Sequence, residues 1–387
     1  MTSTTRPRFL PALEGLRAIA CCGIIVTHVA FQTGADHGSL FNRMMARTDF
    51  FVPVFFALSG FLLWRGHHGS FSLSTDAANL RAIAGYYVKR VGRIMPAYWV
   101  TVIAVLLIFP VAGRPGVLAM IANLFLGQIY IGHGLLGGLT HLWSLCVEMA
   151  FYLVMPLLAI AFGRRNRAVR VGIIIALSAL SFGWAFIPAF AEAPGPGELN
   201  PHIMPPAFIA WFGVGLLSAE LEGISGPRTE RIITRIRPVF WLLAIAMLAV
   251  AASDGPEGLT HAEPAEFARR TLYGLVFAAS LITPYALAPR SAFLESPWMQ
   301  ALGRWSYSIF LWHMAMLSLV FPLLGINLFS GHTALVMVAT FVLTVPVAAL
   351  SYSLVEEPAR RHINAWWKQR TSAQTMACLL YTSDAAD

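Results

Sequence analysis

The chain of 387 residues is 57% hydrophobic and only 12% charged, about half the charged fraction of an ordinary soluble domain. Long uncharged runs recur along nearly its whole length, which excludes a disordered, collagen-like, disulfide-stapled or single-span protein. The net charge of +8 comes mostly from Lys and Arg in short loops between apolar runs, where the positive-inside rule accounts for them without a nucleic-acid partner.

In chain order, apolar stretches long enough to cross a bilayer begin near Leu16, Asp49, Met95, His141, Val171, Pro206, Val239, Thr271, Gly303 and Thr333. They predict an all-α, polytopic integral membrane bundle of about ten transmembrane helices in one domain, residues 1–370. The first stretch carries Glu14 and Arg17 and lacks a small-residue cleavage site, so it reads as a retained helix rather than a signal peptide. The stretch 117–131 is short and contains Asn123 and Gln128, so it is expected to be a re-entrant or interfacial piece.

Charge decides the topology. With a cytoplasmic N-terminus and 117–131 not crossing, only Arg43, Arg47, Arg114, Arg269 and Arg270 fall outside and Arg17 within a span. Were that segment to cross, Arg164, Arg165, Arg167, Arg228, Arg231, Arg235 and Arg237 would all move outside, against the rule. Both termini are therefore expected on the cytoplasmic side of the cell's inner (plasma) membrane. Residues 371–387 change character, and 377–387 read as a tail foreign to the fold. Cys21, Cys22 and Cys146 sit in apolar segments and Cys378 in that tail, which offers neither a disulfide framework nor a metal-ligand spacing.

Ionisable groups at membrane depth are costly, and each is a candidate for function, with structural pairing as its competitor. Arg17 and His28 stand eleven residues apart in the first helix, on one face and roughly 16 Å apart along the axis. The bland alternative pairs Arg17 with Glu14 and bonds His28 to a carbonyl. Further on, His141, Ser144, Glu148 and Tyr152 form one helical stripe, which should face a cavity or the bundle interior rather than lipid. Lys89, Arg90 and Arg93 form a cationic patch before the third span, suited to phosphate but equally to a plain positive-inside anchor. Ser306 and His313 share a face of the ninth. Glu356 and Glu357, before Pro358 as a stop to the last helix, read mainly as partners for cytoplasmic arginines.

Together these segments resemble the membrane-bound acyltransferase family 3. The pieces that carry the likeness are Leu13-Glu14-Gly-Leu-Arg17 with His28, Asp49-Phe-Phe-Val-Pro-Val-Phe-Phe-Ala-Leu-Ser59-Gly60, Arg90-Val-Gly-Arg93 and His141-Leu-Trp-Ser144-Leu-Cys-Val-Glu148 with Tyr152. Gly303-Arg304-Trp-Ser306-Tyr307 with His313, and Glu356-Glu357-Pro358, complete the set. Met149 and Ala150 depart from it, standing where many members have a carboxylate and a glutamine.

The resemblance implies a ten-span O-acyltransferase without a tightly bound cofactor. The donor would be acyl-CoA, probed most simply as acetyl-CoA, and the acceptor a hydroxyl of a surface glycan, a lipid-linked sugar or a related product. It assigns His28 as general base, Glu148 or His141 as its orienting or sugar-binding partner, and Arg17, Arg90, Arg93, Ser144 and His313 to substrate binding. A covalent acyl-histidine relay is an alternative to direct transfer. With no fused esterase-like domain in sight, transfer is expected to finish in the membrane domain or on a separate extracytoplasmic partner. The residues alone also admit a transporter of a glycan or small molecule, or a scaffold whose polar groups only lock helices together.

Overall fold

The computed structural model describes residues 9–383 apart from 191, 193, 196 and 255–261, with side chains through 371. Thirteen α-helices make up the described chain: α1 Pro11–Thr33, α2 Leu40–Ala46, α3 Phe51–His67, α4 Ala77–Ile108, α5 Val117–Leu124, α6 Trp143–Leu158, α7 Arg167–Phe182, α8 Ile209–Glu222, α9 Pro227–Ser253, α10 Pro264–Leu287, α11 Pro297–Leu324, α12 Thr333–Ser351 and α13 Glu357–Ser383. Short 3-10 turns join several of them, and no strand occurs among the described residues. The result is an all-α polytopic bundle.

All ten predicted apolar stretches are helical, and eight of those helices are long and apolar enough to cross a membrane. The other two are α8 and α10. Helix α8 has 14 residues, roughly 21 Å of rise against a hydrocarbon core of about 30 Å, and it is extended by the 3-10 turn Pro205–Phe208. Helix α10 begins with Glu266, Arg269 and Arg270 in its first two turns, which shortens its apolar part. The expected foreign tail begins as a continuation of α13; its residues 384–387 lie outside the described ones.

Segment 117–131 does not cross. Helix α5 runs back alongside α4, where the Tyr98 hydroxyl donates to Asn123 O and the Trp99 indole N–H donates to Leu124 O at 2.9 Å. Tyr98 lies ten residues before the end of α4, so α5 penetrates roughly 15 Å before the chain turns back. Its C-terminal carbonyls would be orphaned in lipid; these two aromatic donors satisfy part of that need, as irregular backbone at depth requires. The return path closes on the end of α4, with Gly137 packed on the Val111 carbonyl.

Small residues bring the central helices together. A Cβ on Gly215 of α8 would lie 1.9 Å from Ala57 O of α3, and one on Gly60 of α3 would lie 2.4 Å from Phe212 O of α8. A Cβ on Gly303 of α11 would lie 2.3 Å from Glu14 O of α1. These are backbone-to-backbone approaches that only glycine permits, the device by which membrane helices gain packing without a hydrophobic driving force. They set α3 against α8, and α11 against α1.

Candidate active site

Helices α1, α4 and α11 run from an arginine-rich end of the bundle toward a histidine-rich one, while α3 and α6 run the other way. At the arginine end, one cavity is bordered by Arg17 of α1, Arg90 and Arg93 of α4, and Ser306, Tyr307 and Phe310 of α11, with Ser59 of α3 and Ser144, Glu148 and Tyr152 of α6. It holds about 90 Å³ of space open to water. A second opening shares Arg17, Leu62 and Arg93 with it and adds Arg65, Arg304 and Arg360 alongside Glu14 and Glu356. The two form a continuous funnel with an excess of positive charge.

Arg17 answers both of its sequence-level readings at once: it pairs with Glu14 at 3.3 Å and borders the cavity. The Arg90 guanidinium lies 5.9 Å from the ring centres of both Tyr86 and Tyr152, a cation–π arrangement that leaves its fork available to an anion. Lys89 is exposed and borders neither opening. The Tyr307 hydroxyl donates to Ile94 O at 2.9 Å, tying α11 to the arginine-bearing turn of α4.

Deeper in the cavity, the hydroxyls of Ser59 and Tyr152 both donate to Glu148 Oε1, and Ser59 and Tyr152 are themselves 3.1 Å apart. The i, i+4 spacing of Glu148 and Tyr152 on α6 makes their contact local. Ser59 arrives from α3, held close by the Gly60 and Gly215 packing. Ser144, one turn before Glu148, turns its hydroxyl to His141 O at 3.2 Å.

Beyond the cavity, three histidines from three elements converge. His28 of α1, His141 of the 3-10 turn before α6 and His313 of α11 have ring centroids 4.6 Å apart for His141–His313, 5.2 Å for His28–His313 and 6.3 Å for His28–His141. Phe310 borders the cavity and also packs on the His141 ring, with centroids 5.1 Å apart, so the cavity abuts the cluster. His141 and His313 are buried and His28 half-buried. Neither ring nitrogen of His141 has a hydrogen-bond partner among the described residues, nor does Nε2 of His313. Buried polar atoms are satisfied in the great majority of cases, and this concentration of unmatched imidazole nitrogens departs from that pattern. The described residues hold no His, Cys, Asp or Glu group arranged for a metal ion, and Cys21, Cys22 and Cys146 are free thiols.

Of the residues singled out from the sequence, Arg17, Arg90, Arg93, Ser144, Glu148, Tyr152 and Ser306 border the cavity and His28, His141 and His313 form the histidine cluster, while Lys89 and Glu357 lie outside both. Sequence reasoning gave no role to Ser59, although a Ser-Gly pair inside an apolar helix is a legible signal. It also treated the Glu356 and Glu357 pair alike. Glu357 does pair with Arg360 and Arg361, but a widened π turn, Tyr352–Glu356, swings Glu356 inward, where it accepts from Ser308 Oγ at 2.8 Å and borders the funnel. Such turns shift a side chain's direction by one position and recur at functional sites.

The geometry defines a polytopic membrane protein with an arginine-lined opening beside a cluster of three histidines. Residues 10–353 match the acyltransferase domain family whose motifs the sequence resembles, and the chain belongs to that family. It is 26% identical to the peptidoglycan O-acetyltransferase OatA of Listeria monocytogenes over 94% of this chain and 58% of that protein. It is 27% identical to the acyltransferase MdmB of Streptomyces mycarofaciens, over 91% of this chain and 92% of the relative. Nodulation protein 10 of Rhizobium leguminosarum is 28% identical over 80% of this chain and 82% of its own. The chain thus spans little more than half of the Listeria protein and most of the other two. No solved structure matches it.

Proposed function

We propose that the chain is an integral-membrane O-acyltransferase that moves an acyl group, acetyl in the simplest case, from acyl-CoA to a hydroxyl of a surface glycan, a lipid-linked sugar or a related glycosylated product. One observation carries this reading: a cavity bordered by arginines meets, past Phe310, three histidines, two of which have unmatched nitrogens. The names of the relatives, an O-acetyltransferase of peptidoglycan and an acyltransferase, support it.

In this reading the arginine end faces the cytoplasm, both termini lie there, and the bundle spans the inner membrane. Arg17, Arg90 and Arg93 hold the phosphates of acyl-CoA, for which the guanidinium fork is well matched. The thioester extends past Ser59, Glu148, Tyr152 and Ser144 toward the histidines, and the acceptor, or a separate partner that presents it, approaches from outside. The acceptor oxygen attacks the thioester carbonyl and the carbon–sulfur bond breaks. The hydroxyl proton passes to a histidine and from there to the departing sulfur. His28 is the base to which the sequence points, with His141 and Glu148 shaping the surroundings.

The test is transfer from labelled acetyl-CoA in membranes containing the full chain. Label should pass to endogenous glycans or lipids and disappear in Arg17→Ala and His28→Ala at equal protein levels. Undiminished transfer in both variants removes the site assignment, and acyl-CoA-independent glycan flux in proteoliposomes replaces the enzyme with a transporter. For orientation, a reporter fused after Arg170 is expected to register cytoplasm and one fused after Glu198 the outside.

A further inference from the structure

The three histidines are not equivalent. His313 is fully buried, and its Nδ1 lies 2.7 Å from the backbone carbonyl of Phe310, one helical turn earlier. A carbonyl oxygen only accepts, so Nδ1 carries the hydrogen of this contact. In the neutral imidazole the other nitrogen, Nε2, then holds the lone pair. That atom has no partner in the protein. Its ring is the nearer neighbour of each of the other two, with centroids 4.6 Å from His141 and 5.2 Å from His28 against 6.3 Å between those two, and its carbonyl partner belongs to Phe310, the residue at which the cavity meets the cluster.

Nothing comparable fixes the others. Neither nitrogen of His141 has a well-aligned hydrogen bond, although the Phe310 and Leu311 backbone lies close to its ring, and His28 makes no hydrogen bond among the described residues. Either ring is free to carry its proton on whichever nitrogen a ligand prefers. A base, by contrast, must present a lone pair in a set direction before the substrate arrives, and a backbone bond to the opposite nitrogen is the usual way a protein arranges this.

Resting on the acyltransferase reading, we infer that His313, rather than His28, is the general base: its Nε2 takes the proton of the acceptor hydroxyl. As the acceptor oxygen bonds to the acyl carbon and the carbon–sulfur bond breaks, the proton moves to Nε2, and the imidazolium returns it to the thiolate of CoA. Phe310 O holds the ring in place through both transfers. His28 and His141 contact the reacting groups without accepting this proton.

His313→Asn separates the base from the anchor, because the asparagine amide reproduces the donor to Phe310 O and removes Nε2. The measurement compares, in membranes with saturating labelled acetyl-CoA, transfer to endogenous hydroxyl acceptors with transfer to added hydroxylamine, a nucleophile that needs no base. His313→Asn is expected to lower transfer to hydroxyls by roughly 100-fold or more, the range of general-base catalysis, while hydroxylamine acylation persists. His28→Asn should lower both by similar factors. Selective loss in His28→Asn, loss of both acceptors alike in His313→Asn, or unchanged hydroxyl transfer in His313→Asn each overturns the inference. Hydroxylamine acylation is counted only above its rate in membranes lacking the chain, because hydroxylamine also attacks the thioester unaided, and folding of each variant is read separately as monodisperse yield in detergent. Absence of any transfer by the unaltered protein would strike the acyltransferase reading instead.

Discussion

Helix α3 serves two carboxylates, a half-buried one and a buried one, in opposite ways. Five residues apart, Ser59 and Trp64 face Glu148 and Glu220. Glu220 of α8 is saturated: Arg170 of α7 donates to both of its oxygens at 2.6 and 2.7 Å, and the Trp64 indole N–H adds a third bond at 2.7 Å. Among the described residues Glu148 of α6 has no arginine bonded to it, only the hydroxyls of Ser59 and Tyr152, and it borders a cavity. Both are the same residue type at the interior of one bundle. The first is fully matched within the protein and holds α3, α7 and α8 together; the second is matched only by neutral donors and remains addressable by a ligand.

The largest effect should come from breaking the saturated site. Glu220→Gln leaves Arg170 half-buried without its counter-charge, a defect of about 3–5 kcal/mol, so we expect loss of folded protein in detergent, read as a drop in monodisperse yield and thermal midpoint. Retention of both would mean that Glu220 is not a structural lock. Glu148→Gln keeps the shape of its side chain and most of its contacts, and should leave the thermal midpoint nearly unchanged while acyl transfer falls by roughly 10-fold or more, less than the loss expected of a group that itself transfers the proton. An unfolded Glu148→Gln would collapse the distinction between the two carboxylates.

A third carboxylate gives the smallest effect. Asp254, just beyond α9, accepts from Arg269 at 2.8 Å and from Tyr273 at 2.8 Å, while remaining partly exposed. These bonds, Arg269 first and then Tyr273, hold its carboxyl below the usual carboxylate range. A depressed folded-state pKa contributes stability above the unfolded value of about 3.9 and loses it as pH falls through the depressed one. Asp254→Asn is therefore expected to be slightly less stable than the unaltered chain at neutral pH and to converge with it in strong acid, measured as thermal midpoint against pH. Parallel curves at all pH values would show the pair to be without weight, as many exposed pairs are.

Much of the site was legible because membrane burial makes polar residues conspicuous. His28, Glu148 and His313 stand out in apolar runs, and the stripe from His141 to Tyr152 follows from helical periodicity. Glu356 was not separable from Glu357, since a π turn leaves no mark in the spacing. Glu220 was invisible as a lock: its partners Arg170 and Trp64 lie 50 and 156 residues away, and no periodicity connects them.

The sequence by itself determined the solvent of this protein, its helical class and the path of 117–131, because a bilayer penalises charge and unpaired backbone residue by residue. Tertiary structure alone decided that residues 28, 141 and 313 meet, and which of their nitrogens is anchored. Those facts depend on helices brought into contact by Gly60, Gly215 and Gly303, and on a single backbone carbonyl at Phe310, neither of which a one-dimensional pattern can place.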